Sequence, residues 1–157
     1  CYAKIKKQSN RIHNSVFELI ELEKKEKLDK IETIQKMNDQ LTDLKNELNK
    51  IIKKIKHENK TISGFGAARS GTTFLSYFGI GNHIDYLYDD NKEKHFKFSP
   101  GDQIEVLPTK DIDENKPDYL IILAWIHADN IISKNQNYLE NGGAFLRFFP
   151  KIEIIKK

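Results

Sequence analysis

The chain has 157 residues, a length suited to about one domain. Its charged fraction is 31% and its formal net charge only +3, with Lys and Glu interspersed rather than grouped on one face, which argues against nucleic acid as a partner. No apolar run reaches membrane-spanning length, the N-terminus lacks the apolar core of a secretory leader, and the single cysteine, Cys1, excludes an intrachain disulfide and fits a reducing compartment, so a cytoplasmic protein without a membrane partner is expected.

Residues 1–5, CYAKI, alternate like a strand and then break into polar residues; with no initiating methionine, residues 1–8 are expected to be the remnant of a preceding domain of a larger protein. Residues 9–59 contain no Gly and no Pro and are dense in Lys, Glu, Leu and Ile, which predicts a helical segment. Within it Ile34, Met37, Leu41, Leu44, Leu48, Ile51 and Ile55 step by alternating three and four, a seam of about three heptads. Such a stripe packs either on the same chain's globular domain or as a coiled coil in a homodimer, and the sequence leaves both open. Upstream, Ile12, Val16, Leu19 and Ile20 form a separate apolar face. The polar run 23–27 interrupts the stripe, so either one helix changes its buried face there or two helices meet.

Residues 60–157 hold every Gly and Pro and nearly all the aromatic residues, and they alternate strand and helix. Strands are predicted at 61–65, 84–88, 103–107, 119–125 and 144–149, and helices at 72–78 and 128–139, with a loop at 91–101. The continuous apolar run at 119–125 reads as a central strand covered on both faces. The order predicts an α/β fold with a Rossmann-like parallel sheet and right-handed crossovers, preceded by the long helical segment.

The stretch 63–81, SGFGAARSGTTFLSYFGIG, carries the main ligand signal. Gly64 and Gly66 allow a tight turn, with Gly71 following two residues after Arg69, and Arg69, Ser70, Thr72 and Thr73 crowd the place where a helix would start, as in βα turns that hold phosphate on free N–H groups. The same glycines also suit a turn that only lets strand and helix pack, and the third glycine of the dinucleotide fingerprint is absent, Arg69 standing in its place. Asp89 closes the second strand, where an acidic residue accepts a ribose hydroxyl or else forms a turn. Trp125 and His127 follow the central strand, Trp125 as core or crevice wall and His127 as a ligand contact or simply the start of the next helix. All these positions fall at the carboxyl ends of parallel strands, which predicts one shared crevice. No metal-ligand spacing and no catalytic set stands out, so no metal and no catalytic residue is assigned.

The ordered series Gly64-Phe65-Gly66-Ala67-Ala68-Arg69-Ser70-Gly71-Thr72-Thr73, Ile84-Asp85-Tyr86-Leu87-Tyr88-Asp89, Lys94, Ser99-Pro100-Gly101, the run from Pro117 to Trp125, and Gly142-Gly143 followed by a Phe-rich strand and Pro150 resembles the C-terminal domain of S-adenosylmethionine-dependent sugar C-methyltransferases. The resemblance covers residues 60–150 and likens residues 1–5 to the last strand of that family's central domain. It implies a substrate-side domain that helps to bind a nucleotide-sugar, and the candidate contacts for that ligand are Gly64, Gly66, Ala67, Arg69, Ser70, Gly71, Thr72, Thr73, Asp89, Trp125 and His127. It also implies that S-adenosylmethionine serves the full-length protein and is bound by the preceding methyltransferase domain, not by this chain. Two positions depart from the family's usual residues. Ala68-Arg69-Ser70 stands for Pro or Ala, Ala and Lys, and Trp125-Ile126-His127-Ala128 stands for Trp-Asn-Phe-Ala. The alternatives are a non-catalytic nucleotide-binding module or a coiled-coil assembly module.

Overall fold

The structure, a computed structural model, describes residues 12–157; the expected remnant strand at 1–8 lies outside the described residues. The chain divides into two units, residues 1–41 and 42–157.

In the first unit, α1 spans Asn14–Lys25, and the His13 ring caps it by accepting the Ser15 N–H. The helix stops at the charged run, where Lys27 takes φ +55°, so two helices meet here rather than one helix turning its face. None of the α1 residues is buried, and Val16, Phe17, Leu19, Ile20 and Leu22 all remain exposed.

Helix α2, Ile31–His57, carries the predicted seam, but the seam does not behave as one unit. Ile34 and Met37 are exposed, whereas Leu48 and Ile52 are fully buried and Ile55 nearly so, with Leu44 and Ile51 packed beside them in the core of the second unit. Ile52 lies outside the heptad positions; a helix lying on a sheet buries a broader stripe than the two-position seam of a paired coil. Asn49 fixes the docking by donating from Nδ2 to Phe78 O (2.9 Å) and Lys45 O (3.0 Å).

The second unit is built on a six-stranded sheet in the order β3-β2-β1-β4-β5-β6. The strands are β1 Ile62–Phe65, β2 Leu87–Asp89, β3 Val106–Pro108, β4 Tyr119–Ile122, β5 Ala144–Arg147 and β6 Glu153–Ile155. The first five pair parallel, and β6 runs antiparallel to β5, with Phe145 opposite Ile155. This is the strand order of doubly wound folds, whose direction of winding reverses between β1 and β4. The period of two along each strand sorts side chains between two cores. Tyr119, Ile121 and Leu123 join α2 and α3 (Arg69–Phe78) on one face. Leu120 and Ile122 join α4 (Ile112–Asn115), α5 (Ala128–Lys134) and α6 (Gln136–Glu140) on the other.

Several elements differ from the sequence expectation, among them the third strand, expected at 103–107 and found at Val106–Pro108. The second strand begins at Leu87, because Gly81–His83 forms a 3-10 turn that leads in through Ile84. The central strand ends at Ile122; the Leu123 N–H still donates to Phe65 O at 2.9 Å, and the chain then bends into the 3-10 turn that begins at Trp125. The single helix expected at 128–139 breaks at Asn135, whose φ of −117° leaves the helical region while its Nδ2 donates to Ile131 O at 2.7 Å. Strand β6 was not anticipated, since a three-residue edge strand is too short to show alternation. Among the described residues no helix is long and apolar enough to cross a membrane.

Tyr138 ties α6 to the sheet: its buried hydroxyl donates to Pro117 O at 2.9 Å and lies 3.2 Å from the Ala144 backbone. Burial raises the pKa of this hydroxyl above the usual tyrosine range. A raised tyrosine pKa means that the unfolded chain loses its proton first, so this contribution is complete below about pH 10 and declines above it. Tyr138→Phe should cost about 1–1.5 kcal/mol at pH 8. Urea unfolding at pH 8 and pH 10.5 should show the gap between the two proteins shrinking at the higher pH; a constant gap would refute the buried hydroxyl's role.

Candidate functional site

The turn after β1 is shaped by close approach. Gly66 sits at φ +99°, and its N–H donates to Tyr88 O at 2.7 Å. A Cβ at Gly66 would stand 2.7 Å from the Ala124 Cβ, and one at Gly71 would stand 3.0 Å from Gly66 O. The turn is therefore wedged between the end of β4 and the first turn of α3. Gly64 lies deeper, where a Cβ would meet Leu87 and Leu123 inside the core, so its bareness serves strand packing.

Helix α3 starts at Arg69, three residues earlier than expected, with Ala68 at the N-cap and no side chain capping it. Among the described residues, no hydrogen bond takes up the N–H groups of Ala68, Arg69, Ser70 or Gly71. These are the free donors that a helix start presents, and they favour negative charge. Arg69 and Ser70 are exposed. The Thr72 and Thr73 hydroxyls turn back to donate to Arg69 O, at 2.9 and 3.2 Å, and so are engaged inside the helix.

Asp89 is buried and ties two loops together. Its Oδ2 accepts the Ala67 N–H at 2.8 Å and Lys94 Nζ at 2.9 Å, and its Oδ1 accepts the Asn91 N–H at 2.9 Å. A carboxylate has about four acceptor positions, so one remains. His95 closes the loop by donating from Nε2 to Asp89 O at 2.8 Å, and Thr109 Oγ1 donates to Asp90 at 2.7 Å.

Beyond β4, Trp125–His127 forms a 3-10 turn. The Trp125 ring meets Phe149 edge-on, with centroids 4.8 Å apart, and His127 is exposed. The structure thus brings Gly66, Ala67 and Asp89 together with Ala124, and it leaves the Trp125 ring committed to Phe149 rather than to the turn. No cluster of metal-binding side chains occurs among the described residues.

Two open depressions flank this edge. One, of about 250 Å³, is lined by Phe65, Asp90, Thr109, Asn130, Lys134 and neighbours on α5. The other, of about 480 Å³, is lined by Asp90, Lys92, His95, Phe96, Pro108, Thr109 and Lys110. Sequence reading assigned no site role to Lys94, Phe96, Thr109 or Lys134. Only Lys94 carried a signal, a basic residue five positions after the strand-closing Asp89.

Comparison with known proteins gives a consistent family assignment. The family model described as the C-methyltransferase C-terminal domain matches residues 1–150. A curated relative, C-methyltransferase NovU of Streptomyces niveus, is 30% identical over 110 residues, which is 69% of this chain and 26% of that protein. The chain thus matches only about a quarter of that relative's length. Among solved structures, a UDP-D-quinovosamine 4-dehydrogenase from Vibrio fischeri superposes at a TM-score of 0.45 and 14% identity, over 62% of this chain and 93% of the other.

Proposed function

Because the chain belongs to the C-methyltransferase C-terminal domain family, we propose that it is the Rossmann-like, substrate-holding part of a methyltransferase acting on a nucleotide-linked sugar. In this reading the diphosphate rests on the start of α3. The observation that supports it is the row of unpaired N–H groups from Ala68 to Gly71, with Arg69 exposed beside it and Lys94 held next to Ala67 through Asp89. Free N–H donors and two cationic side chains together suit an anion.

The methyl donor is S-adenosylmethionine, which supplies an electrophilic methyl to the acceptor. The residues present here do not fit it. Its sulfonium is positive, and the side chains beside the turn, Arg69 and Lys94, are cationic as well. The cofactor is therefore assigned to another part of the full-length protein, and the part described here orients the acceptor. Gly66 and Gly71 give the turn its shape, Asp89 holds it to the 91–95 loop, and Ser70 lies among the free donors. Trp125 and His127 would line the side of the crevice toward β4.

The test is titration of the full-length protein with uridine and thymidine diphosphates and with the matching nucleosides. Arg69→Ala should weaken diphosphate binding by about 1.5–3 kcal/mol, as for loss of a hydrogen bond to a charged group. Nucleoside binding should not change. Equal diphosphate affinity in wild type, Arg69→Ala and Lys94→Ala would overturn the reading.

A further inference from the structure

The geometry points to Phe96 as the platform on which the nucleobase of such a substrate stacks, a proposal that rests on the diphosphate reading above. Phe96 is 67% exposed and lines the larger of the two depressions described above. The cavity of about 480 Å³ lies in the size range of small-molecule sites, and it is large enough for a base and ribose.

The backbone that carries the ring is held in place. Phe96 takes φ +60°, a left-handed conformation that bulky residues rarely adopt. It is pinned by its N–H donating to Val106 O at 2.7 Å, and Val106 N–H donates in turn to Lys97 O at 2.8 Å. Backbone strain of this kind persists where surrounding bonds over-determine it, and it is common at ligand clamps. An aromatic face on a pinned backbone can stack on a base and tolerates any base, because every base has a π-face. Lys92 and Lys110 on the rim add positive charge.

Position connects this cavity to the α3 start. Asp89 accepts the Ala67 N–H on one side, while its backbone oxygen accepts His95 Nε2 on the other, and His95 lines the cavity next to Phe96. Asp89 therefore touches both the turn and the loop that carries the cavity, so a ribose beside it would stand between a diphosphate on the turn and a base in the cavity. Phe98 supplies an internal control, since it is 64% exposed but does not line the cavity.

The experiment is calorimetric titration of the full-length protein with uridine diphosphate, thymidine diphosphate and inorganic diphosphate. Phe96→Ala should weaken both nucleotides about 10-fold or more, the loss expected for one base–aromatic stack, and leave inorganic diphosphate unchanged. Phe96→Tyr should restore nucleotide affinity, and Phe98→Ala should have none of the effect. If wild type binds the nucleotides and Arg69→Ala weakens them while Phe96→Ala does not, the base site is overturned and the diphosphate site stands. If Phe98→Ala weakens nucleotides as much as Phe96→Ala, the cavity is not the site. If wild type binds no nucleotide, the diphosphate reading falls and the base site with it.

Discussion

Gly66→Val will destabilise the α/β unit by about 3–5 kcal/mol, the sum of a strained backbone and an overpacked contact. The strain arises because φ is +99°, a value that β-branched residues avoid. The overpacking arises because a Cβ would stand 2.7 Å from the Ala124 Cβ and 3.1 Å from the Ala124 backbone nitrogen. Neither neighbour is the end of a flexible chain that can swing aside. A variant this unstable cannot by itself test ligand binding, which is why exposed Arg69 carries that test. Denaturant unfolding of wild type and Gly66→Val measures the difference, and equal midpoints would show that the turn has another shape.

Leu48→Ala should cost about 3 kcal/mol, in the range for a fully buried leucine that leaves a cavity. Met37→Ala, on the same stripe three turns earlier, should change stability by less than about 0.5 kcal/mol, as exposed positions do. The contrast follows from exposures of 0% and 51% in one helix. Thermal melts at several protein concentrations decide the matter. If Met37→Ala destabilises as much as Leu48→Ala, and does so more at low concentration, the first half of the stripe is covered by a second copy.

These two residues show what the sequence conveys and what it leaves out. The steps of three and four from Ile34 to Ile55 reveal a helix and its apolar side. They cannot reveal what covers that side, because a sheet and a partner helix ask for the same residue types. The sheet was legible for a related reason: strands covered on both faces read as unbroken apolar runs, as in Tyr119–Ile122. Its limits were less so, since Leu123, Ala124 and Trp125 continue the apolar run beyond the end of the strand. At the candidate site, the glycines and Asp89 were visible by type. Their partners were not, because the bond from Ala67 to Asp89 joins residues that only the pairing of β1 with β2 brings together. Phe96 gave no signal at all, as neither exposure nor a positive φ is encoded in a phenylalanine.

The placement of β1 has a consequence for how the chain folds. Its neighbour β4 pairs Ile62 with Tyr119, and the side-chain tie from Asp118 to Thr61 spans 57 residues. Closing so long a loop costs conformational entropy before any contact rewards it, so the centre of the sheet forms late relative to local helices. During synthesis, β1 and the buried stripe of α2 leave the ribosome well before the strands that complete their cover. Until β4 and β5 emerge, Leu48, Ile52 and Ile62 lack the part of their core that Tyr119, Ile121 and Leu146 supply, and an incompletely covered core exposes the nascent chain to misassociation.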